Sequence, residues 1–101
     1  MKVEQFYNKN QFLINGKDGL YFQSYNSMIA KITNDGVLQL GYDWDYSRTT
    51  MKHLYLFLID YRYELNQDYF EDITKVLESS NKRKALQKLI DSQVIEVKEE
   101  L

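Results

Sequence analysis

One stretch, Gly41 to Leu58 (GYDWDYSRTTMKHLYLFL), holds the residues best suited to chemistry, including the chain's only Trp, Trp44, and its only His, His53. Histidine serves as a general acid or base when a reacting group lies within hydrogen-bond reach. The chain has no Cys, and none of its Ser residues sits in a Gly-x-Ser-x-Gly setting. A lone His in an apolar helix more often makes one packing hydrogen bond. We therefore expect no catalytic residue and no enzyme activity.

Metal and cofactor sites are not expected either. Asp43 and Asp45 form a pair two residues apart without a third carboxylate in register, whereas a Ca²⁺ loop supplies several oxygen ligands at short intervals. The run from Gly16 to Gly19 (GKDG) lacks the spacing of a phosphate-binding loop. It is typical of a tight turn instead.

The opening stretch also has a structural interpretation. Ser47 or Thr49 is placed to accept a hydrogen bond from the free N–H groups at the start of a helix. Asp43 and Asp45 precede that start and favour its positive dipole end. The alternative is an exposed patch of Tyr46, Arg48 and His53 that contacts a partner.

The strands and helices that position these residues are predicted from the spacing of apolar residues along the chain. Period-two runs predict strands within 11–42: at Gln11–Asn15, along Leu20–Thr33 with a bend or bulge near Ser24–Asn26, and at Val37–Tyr42. A Thr33-Asn34-Asp35-Gly36 hairpin turn separates the last two. The helical period predicts helices at about 48–65, 68–78 and 81–92, and a short final strand at about 94–97. Asp68 with Glu71 predicts a capping box, and Ser80 an N-cap.

These elements predict one α+β domain over 1–101, a three- to four-stranded antiparallel sheet packed against about three helices. The first helix is apolar most of the way round, with Leu54 and Leu58 on its most apolar face. Tyr55, Leu56, Ile59 and Tyr63 give it a second apolar face. Two later helices are available to cover that face, so a monomer is favoured over a homodimer.

Composition narrows the classes of function. Thirteen Lys and Arg against fifteen Asp and Glu give a net charge of −2, which disfavours binding to free nucleic acid. No run reaches the roughly 18 to 20 apolar residues of a membrane span, and the first residues (MKVEQFYNKN) lack the apolar core of a signal peptide. We expect a soluble protein of the host-cell cytoplasm.

The residues Ser24, Tyr25, Ile29, Ala30 and Gly36, followed by a Trp-x-Tyr-Ser-x-Thr-Thr-x-Lys motif from Trp44 to Lys52, resemble a group of small uncharacterised proteins of bacteriophages and mobile elements. The resemblance covers roughly residues 12–58. It implies a phage-type protein that binds a host macromolecule. The specific function favoured is an anti-CRISPR or other anti-defence inhibitor of a nucleic-acid-guided nuclease. This expectation rests on association alone, because small acidic phage proteins without Cys often occur among such inhibitors.

Two sets of residues are candidates for binding. The first would face a host protein, such as a CRISPR effector nuclease, and comprises Asp60, Glu64, Asp68, Tyr69, Glu71, Asp72, Tyr46 and Arg48. The second serves the alternative function, a nucleic-acid-binding accessory or regulatory protein, and comprises Lys82, Arg83, Lys84 and Lys88. Both charge groups are also compatible with ordinary solvated helix faces.

Overall fold

A computed structural model describes residues 2–101, with the side chains of Asn8 and Lys9 excepted. The fold is α+β, as the hydrophobic periods predict, with a meander of strands followed by helices. The strands are β1 (Lys2–Phe6), β2 (Asn8–Gly16), β3 (Gly19–Ser24), β4 (Ser27–Thr33), β5 (Leu38–Gly41) and β6 (Glu96–Lys98). The helices are α1 (Arg48–Tyr61), α2 (Gln67–Glu78) and α3 (Lys82–Asp91), with a 3-10 turn at Arg62–Glu64 between α1 and α2.

Over residues 2–101 the sheet has six strands, in the order β1-β2-β3-β4-β5-β6. The first five pair antiparallel with their neighbours. The final strand, β6, pairs in parallel with β5, and Gln39 stands opposite Glu96, so the predicted antiparallel pairing holds only for the first five strands. The sequence predicted three or four strands, so two strands were missed. Each omission has a local cause.

The edge strand β1 is the first omission, because no strand was predicted before Gln11. Residues Lys2 to Gln5 are all exposed, and within β1 only Phe6 is buried. A strand that meets water on both faces needs no alternation of apolar and polar residues. Its sequence therefore carries no period-two signal.

The second omission lies in Leu20–Thr33, which was predicted as one bent strand. It is a hairpin of β3 and β4, with Ser24 paired to Ser27 across a turn at Tyr25 and Asn26. Tyr25 has a φ of 55°, a conformation that two-residue hairpin turns usually give to Gly or Asn. The turn is held by Gln23 Nε2, which donates to the Tyr25 carbonyl at 2.7 Å. Because Tyr rather than Gly or Asn occupies this position, the sequence carried no signal of a hairpin turn here.

The predicted Asp-Gly turn between β4 and β5 is present. The Gly36 N–H donates to the Thr33 carbonyl over 2.9 Å, and Gly36 has a φ of 81°. A Cβ atom at this position would stand 2.5 Å from the backbone nitrogen of Asn66. Gly36 is therefore required both by the turn and by the close approach of the chain that starts α2.

The helices start at side-chain caps. Ser47 caps α1 by accepting from the Thr50 N–H at 3.1 Å, as predicted for Ser47 or Thr49. Asn66 caps α2 and Asn81 caps α3, so the predicted Asp68–Glu71 capping box and the Ser80 cap are wrong. Asp68 lies instead in the first turn of α2, where its charge favours the helix dipole.

The core lies between one face of the sheet and the helices. Phe22 of β3 stacks on Phe57 of α1, with ring centroids 5.0 Å apart. Leu54 and Leu58 are fully buried, as predicted. Other fully buried side chains come from β5, α2 and α3: Leu38, Leu40, Ile73 and Leu86. Among residues 2–101, no helix has the length and apolar character that a membrane span needs.

Candidate functional site

The two parts of the sequence motif meet at the start of α1. The turn between β3 and β4 and the segment that leads into α1 enclose a cavity of about 300 Å³. We call it the hydroxyl pocket; its lining residues are Ser24, Tyr25, Ser27, Ile29, Asp43, Tyr46, Ser47, Thr49 and Thr50. Seven of these nine side chains carry a hydroxyl group. Residues far apart in the chain thus build one concavity lined mainly by hydroxyl-bearing side chains.

His53 lies behind this pocket rather than on the surface. Its Nδ1 atom shares a 2.9 Å hydrogen bond with Ser24 Oγ, and its ring stacks on that of Tyr25 with centroids 6.1 Å apart. His53 is 6% exposed and Ser24 is 2% exposed. The predicted exposed patch of Tyr46, Arg48 and His53 is therefore wrong for His53, which is buried. The predicted packing hydrogen bond exists, and its partner is a serine.

The surroundings of His53 disfavour the charged imidazolium. Burial lowers the pKa of His53 below its ordinary value of 6.5, and the neighbouring Lys52 ammonium adds to the lowering. Asp43, a carboxylate of the same pocket, receives a 3.3 Å hydrogen bond from Ser27 Oγ. In the part of the chain described, no group of three or more His, Cys, Asp or Glu side chains is arranged to hold a metal ion.

A second concavity lies between α1 and the start of α3. This α1–α3 groove has a volume of about 420 Å³. Its cations are Arg48, Lys52, Lys82 and Arg83, and its apolar and aromatic lining consists of Met51, Tyr55, Leu56 and Ile59. Arg83 also binds Asp45 at 2.9 Å and lies 6.0 Å from the Trp44 ring centroid. The start of α3 is thus tied to the loop that precedes α1.

A family model of a family of unknown function, DUF8033, matches residues 1–76. The chain belongs to this family. No curated protein and no solved structure matches the chain. The DUF8033 match spans β1 to β5, α1 and most of α2, and therefore the whole hydroxyl pocket. The α3 wall of the α1–α3 groove lies beyond residue 76.

The acidic candidates of this DUF8033 protein occupy the corner where α1 gives way to α2. Asp60 accepts a 2.9 Å hydrogen bond from the Tyr7 hydroxyl of the β1–β2 connection, and Glu64 lines a cavity with Glu4. Glu71 accepts from Gln67 Nε2 at 3.0 Å. We call the full set the acidic corner: Asp60, Glu64, Asp68, Glu71 and Asp72.

Tyr69, Tyr46 and Arg48 belong to other surfaces. Tyr69 is half-buried and lines a cavity beside Leu38 of β5 and Ile90 of α3. Tyr46 is 80% exposed at the hydroxyl pocket, while Arg48 lines the α1–α3 groove. The structure therefore distributes the first candidate set over separate surfaces.

The basic candidates are divided as well. Lys82 and Arg83 line the α1–α3 groove, whereas Lys84 and Lys88 are exposed on α3 and do not line it. Lys52 was absent from the predicted site residues. Its spacing of four from Arg48 places both cations on one helix face. That signal was in the sequence, but nothing in the sequence indicated that the start of α3 lies beside it.

Proposed function

We propose that this protein acts without catalysis, by binding a host protein through the acidic corner. The partner surface would be a basic groove that otherwise holds nucleic acid. The specific function proposed is that of a phage-type anti-defence inhibitor, such as an anti-CRISPR protein acting on a nucleic-acid-guided nuclease. The phage-type assignment rests on the motif resemblance, and the binding mode rests on charge.

The observation that carries the proposal is that the carboxylates of the acidic corner form no ion pair with a described cation of the same chain. Leaving aside Lys9, no cation among residues 2–101 forms an ion pair with any of its five carboxylates. Arg62 is the basic residue within this stretch, and its guanidinium lies over two rings, 5.3 Å from the centroid of Tyr63 and 5.6 Å from that of Phe70. The negative charge of these carboxylates is therefore available to a basic partner.

The arrangement of α2 concentrates that charge. Asp68, Glu71 and Asp72 are spaced by three and four residues, so they share one helix face. Asp68 and Glu71 are exposed. Charges arranged in this way raise the rate of encounter with an oppositely charged surface and select against partners of the same sign.

The surroundings of His53 support a function without catalysis. The Ser24–His53 pair is buried, and the nearby carboxylate of Asp43 bonds to Ser27 instead of orienting the imidazole. A serine nucleophile needs access to substrate and a base that a third group orients. The pair makes better sense as a link between β3 and α1.

Nucleic-acid binding is the second candidate function, and one observation favours it. Cations from two helices, Arg48 and Lys52 of α1 with Lys82 and Arg83 of α3, gather around one groove. However, Asp45 neutralises Arg83. If three free cations contacted phosphates of duplex DNA, the slope of log affinity against log salt would be only about −3.

The test compares two charge-reversed variants as inhibitors of target-DNA cleavage by purified nucleic-acid-guided nucleases. Asp68→Lys, Glu71→Lys and Asp72→Lys are combined in the first variant. Glu96→Lys, Glu99→Lys and Glu100→Lys, all at exposed positions, give a control with the same change in charge. We expect the unmodified protein and the control to inhibit at least one nuclease, and the first variant to lose about tenfold in affinity, mainly in association rate.

Two further measurements make the outcome decisive. The neutral variant Asp68→Asn, Glu71→Gln, Asp72→Asn should also weaken inhibition, and added salt should weaken binding by the unmodified protein. Equal behaviour of the first variant and its control would contradict the use of the acidic corner. Submicromolar binding of the unmodified protein to free DNA or RNA at physiological salt would favour the second candidate function.

A further inference from the structure

The α1–α3 groove has the composition of an interface centre, and no described part of the chain covers it. Ile59 is 45% exposed, and Met51 and Leu56 are only partly buried. The later helices α2 and α3 were available to cover this side of α1. They leave Ile59 exposed, whereas Leu54 and Leu58 on another face of α1 are fully buried. Met51, Leu56 and Ile59 thus form an aliphatic strip that is partly open to solvent.

The charges around this strip have one sign. Arg48 and Lys52 stand on the α1 side, and Lys82 and Arg83 on the α3 side. Of the described residues that line the groove, none carries a carboxylate. Asp45 offsets Arg83 from outside the groove, which leaves a surplus of about three positive charges. An occupant must therefore be acidic as well as apolar.

The lining distinguishes between a protein and a nucleic acid as the occupant. Proteins that hold single strands stack bases on aromatic side chains, whereas three of the four apolar or aromatic lining residues here are aliphatic: Met51, Leu56 and Ile59. Aliphatic and methionine side chains instead suit the apolar face of an amphipathic helix. An acidic helix would meet the aliphatic strip with one face and the cations with its flanks.

We propose that the α1–α3 groove docks an acidic amphipathic helix of a partner protein. This binding is separate from that of the acidic corner and goes beyond the proposed function. From Arg48 to Ile59 the groove follows about three turns of α1, or roughly 16 Å along the helix axis. A partner helix of about three turns fills that length. Because α3 lies beyond the family-matched residues, docking depends on a part of the chain outside the family match.

The test uses fluorescence anisotropy with a labelled amphipathic peptide of about 18 residues, above the length of roughly 12 to 15 residues below which isolated helices are marginal in water. It carries Leu on one face and Glu on the others. Three matched peptides replace Glu by Gln, Glu by Lys, or Leu by Ser. We expect saturable binding of the Leu–Glu peptide, weakened by salt, and at least about tenfold weaker binding of all three matched peptides.

Variants locate the binding on the protein. Arg48→Glu combined with Lys52→Glu should weaken binding of the Leu–Glu peptide about tenfold, and Ile59→Ser should weaken it without any change in charge. The control is Lys84→Glu combined with Lys88→Glu, which makes the same change in charge on exposed residues outside the groove. It should bind within about twofold of the unmodified protein. Circular dichroism checks that each variant is folded.

Several outcomes would overturn the inference. Absence of peptide binding, or equal losses in the groove variant and its control, would show that the groove is not the docking site. Tighter binding of a DNA or RNA oligonucleotide, lost in the Arg48→Glu, Lys52→Glu variant, would make the occupant a nucleic acid. A molecular mass that grows with protein concentration, and does not grow in Ile59→Ser, would make it a second copy. The acidic-corner variant should keep peptide binding, so the two proposals fail independently.

Discussion

The Oγ atom of Ser24 and the Nδ1 atom of His53 lie 2.9 Å apart and join the end of β3 to the middle of α1. Both groups are buried. If one of them were removed, no water could take its place as the hydrogen-bond partner of the other. The Tyr25 ring stacks on the imidazole beside this bond. The bond thus fixes the hairpin turn at Tyr25 against the helix that carries the sequence motif.

Replacing Ser24 by Ala should destabilise the protein by about 1–3 kcal/mol, because the buried imidazole loses its hydrogen-bond partner. Ser27→Ala serves as the control, since Ser27 is less buried and donates to Asp43 over a longer distance of 3.3 Å. Urea unfolding at neutral pH measures both variants. Equal losses for the two serines would contradict a special role for the Ser24–His53 bond.

The lowered pKa of His53 should make stability depend on pH. Below about 6.5 the His of the unfolded chain takes up a proton, while the buried imidazole stays neutral until its lower folded pKa is reached. The unfolded state then binds more protons, so the free energy of unfolding should fall as pH drops through this window. His53→Gln should lose that dependence. Unfolding curves at several pH values measure it, and parallel profiles for both proteins would refute the prediction.

Leu58→Ala should cost about 2–5 kcal/mol, because it leaves a cavity at a fully buried position of α1. Its neighbour Ile59 is 45% exposed, and Ile59→Ala should cost less than half as much. The midpoint of urea unfolding measures both changes. An unchanged midpoint for Leu58→Ala would mean that the buried face of α1 is misplaced.

Ser47→Ala should cost about 0.5–2 kcal/mol, since the N–H of Thr50 loses its acceptor. Thr49→Ala is the matched control, because Thr49 is an exposed neighbour that does not cap α1. Thermal unfolding followed by circular dichroism measures stability, and the nuclease assay measures function. We expect Ser47→Ala to retain inhibition; lost inhibition with intact stability would make the hydroxyl pocket a partner surface.

Gly36→Ala should destabilise the protein by about 1–2 kcal/mol from its left-handed backbone alone. The added Cβ would also approach the Asn66 backbone nitrogen. Gly16→Ala is the control, because its Cβ would meet side-chain atoms of Tyr21 and Asp18 at 3.3 Å and 3.4 Å and its φ lies outside the left-handed region. Urea unfolding measures both variants. A larger loss of stability for Gly16→Ala than for Gly36→Ala would contradict this prediction.

The protein should be a monomer at micromolar concentration. Of the apolar residues of α1 and its 3-10 extension, Ile59 at 45% and Tyr63 at 70% are exposed, and Met51 and Leu56 beside Ile59 are partly buried. A patch of this size is ordinary on a monomer, and self-association calls for a larger contiguous patch. Light scattering measures the mass. A stable mass of two chains would contradict this prediction.

The sequence by itself determined the α+β class, the positions of the helices, a helix cap at Ser47 or Thr49, and the burial of Leu54 and Leu58. These features are local: a helix face repeats every few residues, and a cap lies within one turn of the N–H group that it satisfies. The edge strand β1 and the hairpin turn at Tyr25 could not be predicted from the sequence. An exposed strand has no apolar period, and a Tyr is an unusual residue for a left-handed turn position.

Only the tertiary structure decided which distant residues share a site. Ser24 meets His53 because β3 packs on α1, and Lys82 joins Arg48 because the start of α3 returns to the same helix. The spacing of residues along a chain reports contacts within one element, where geometry repeats. Contacts between elements depend on how their apolar faces pack together, and that packing is a property of the whole fold.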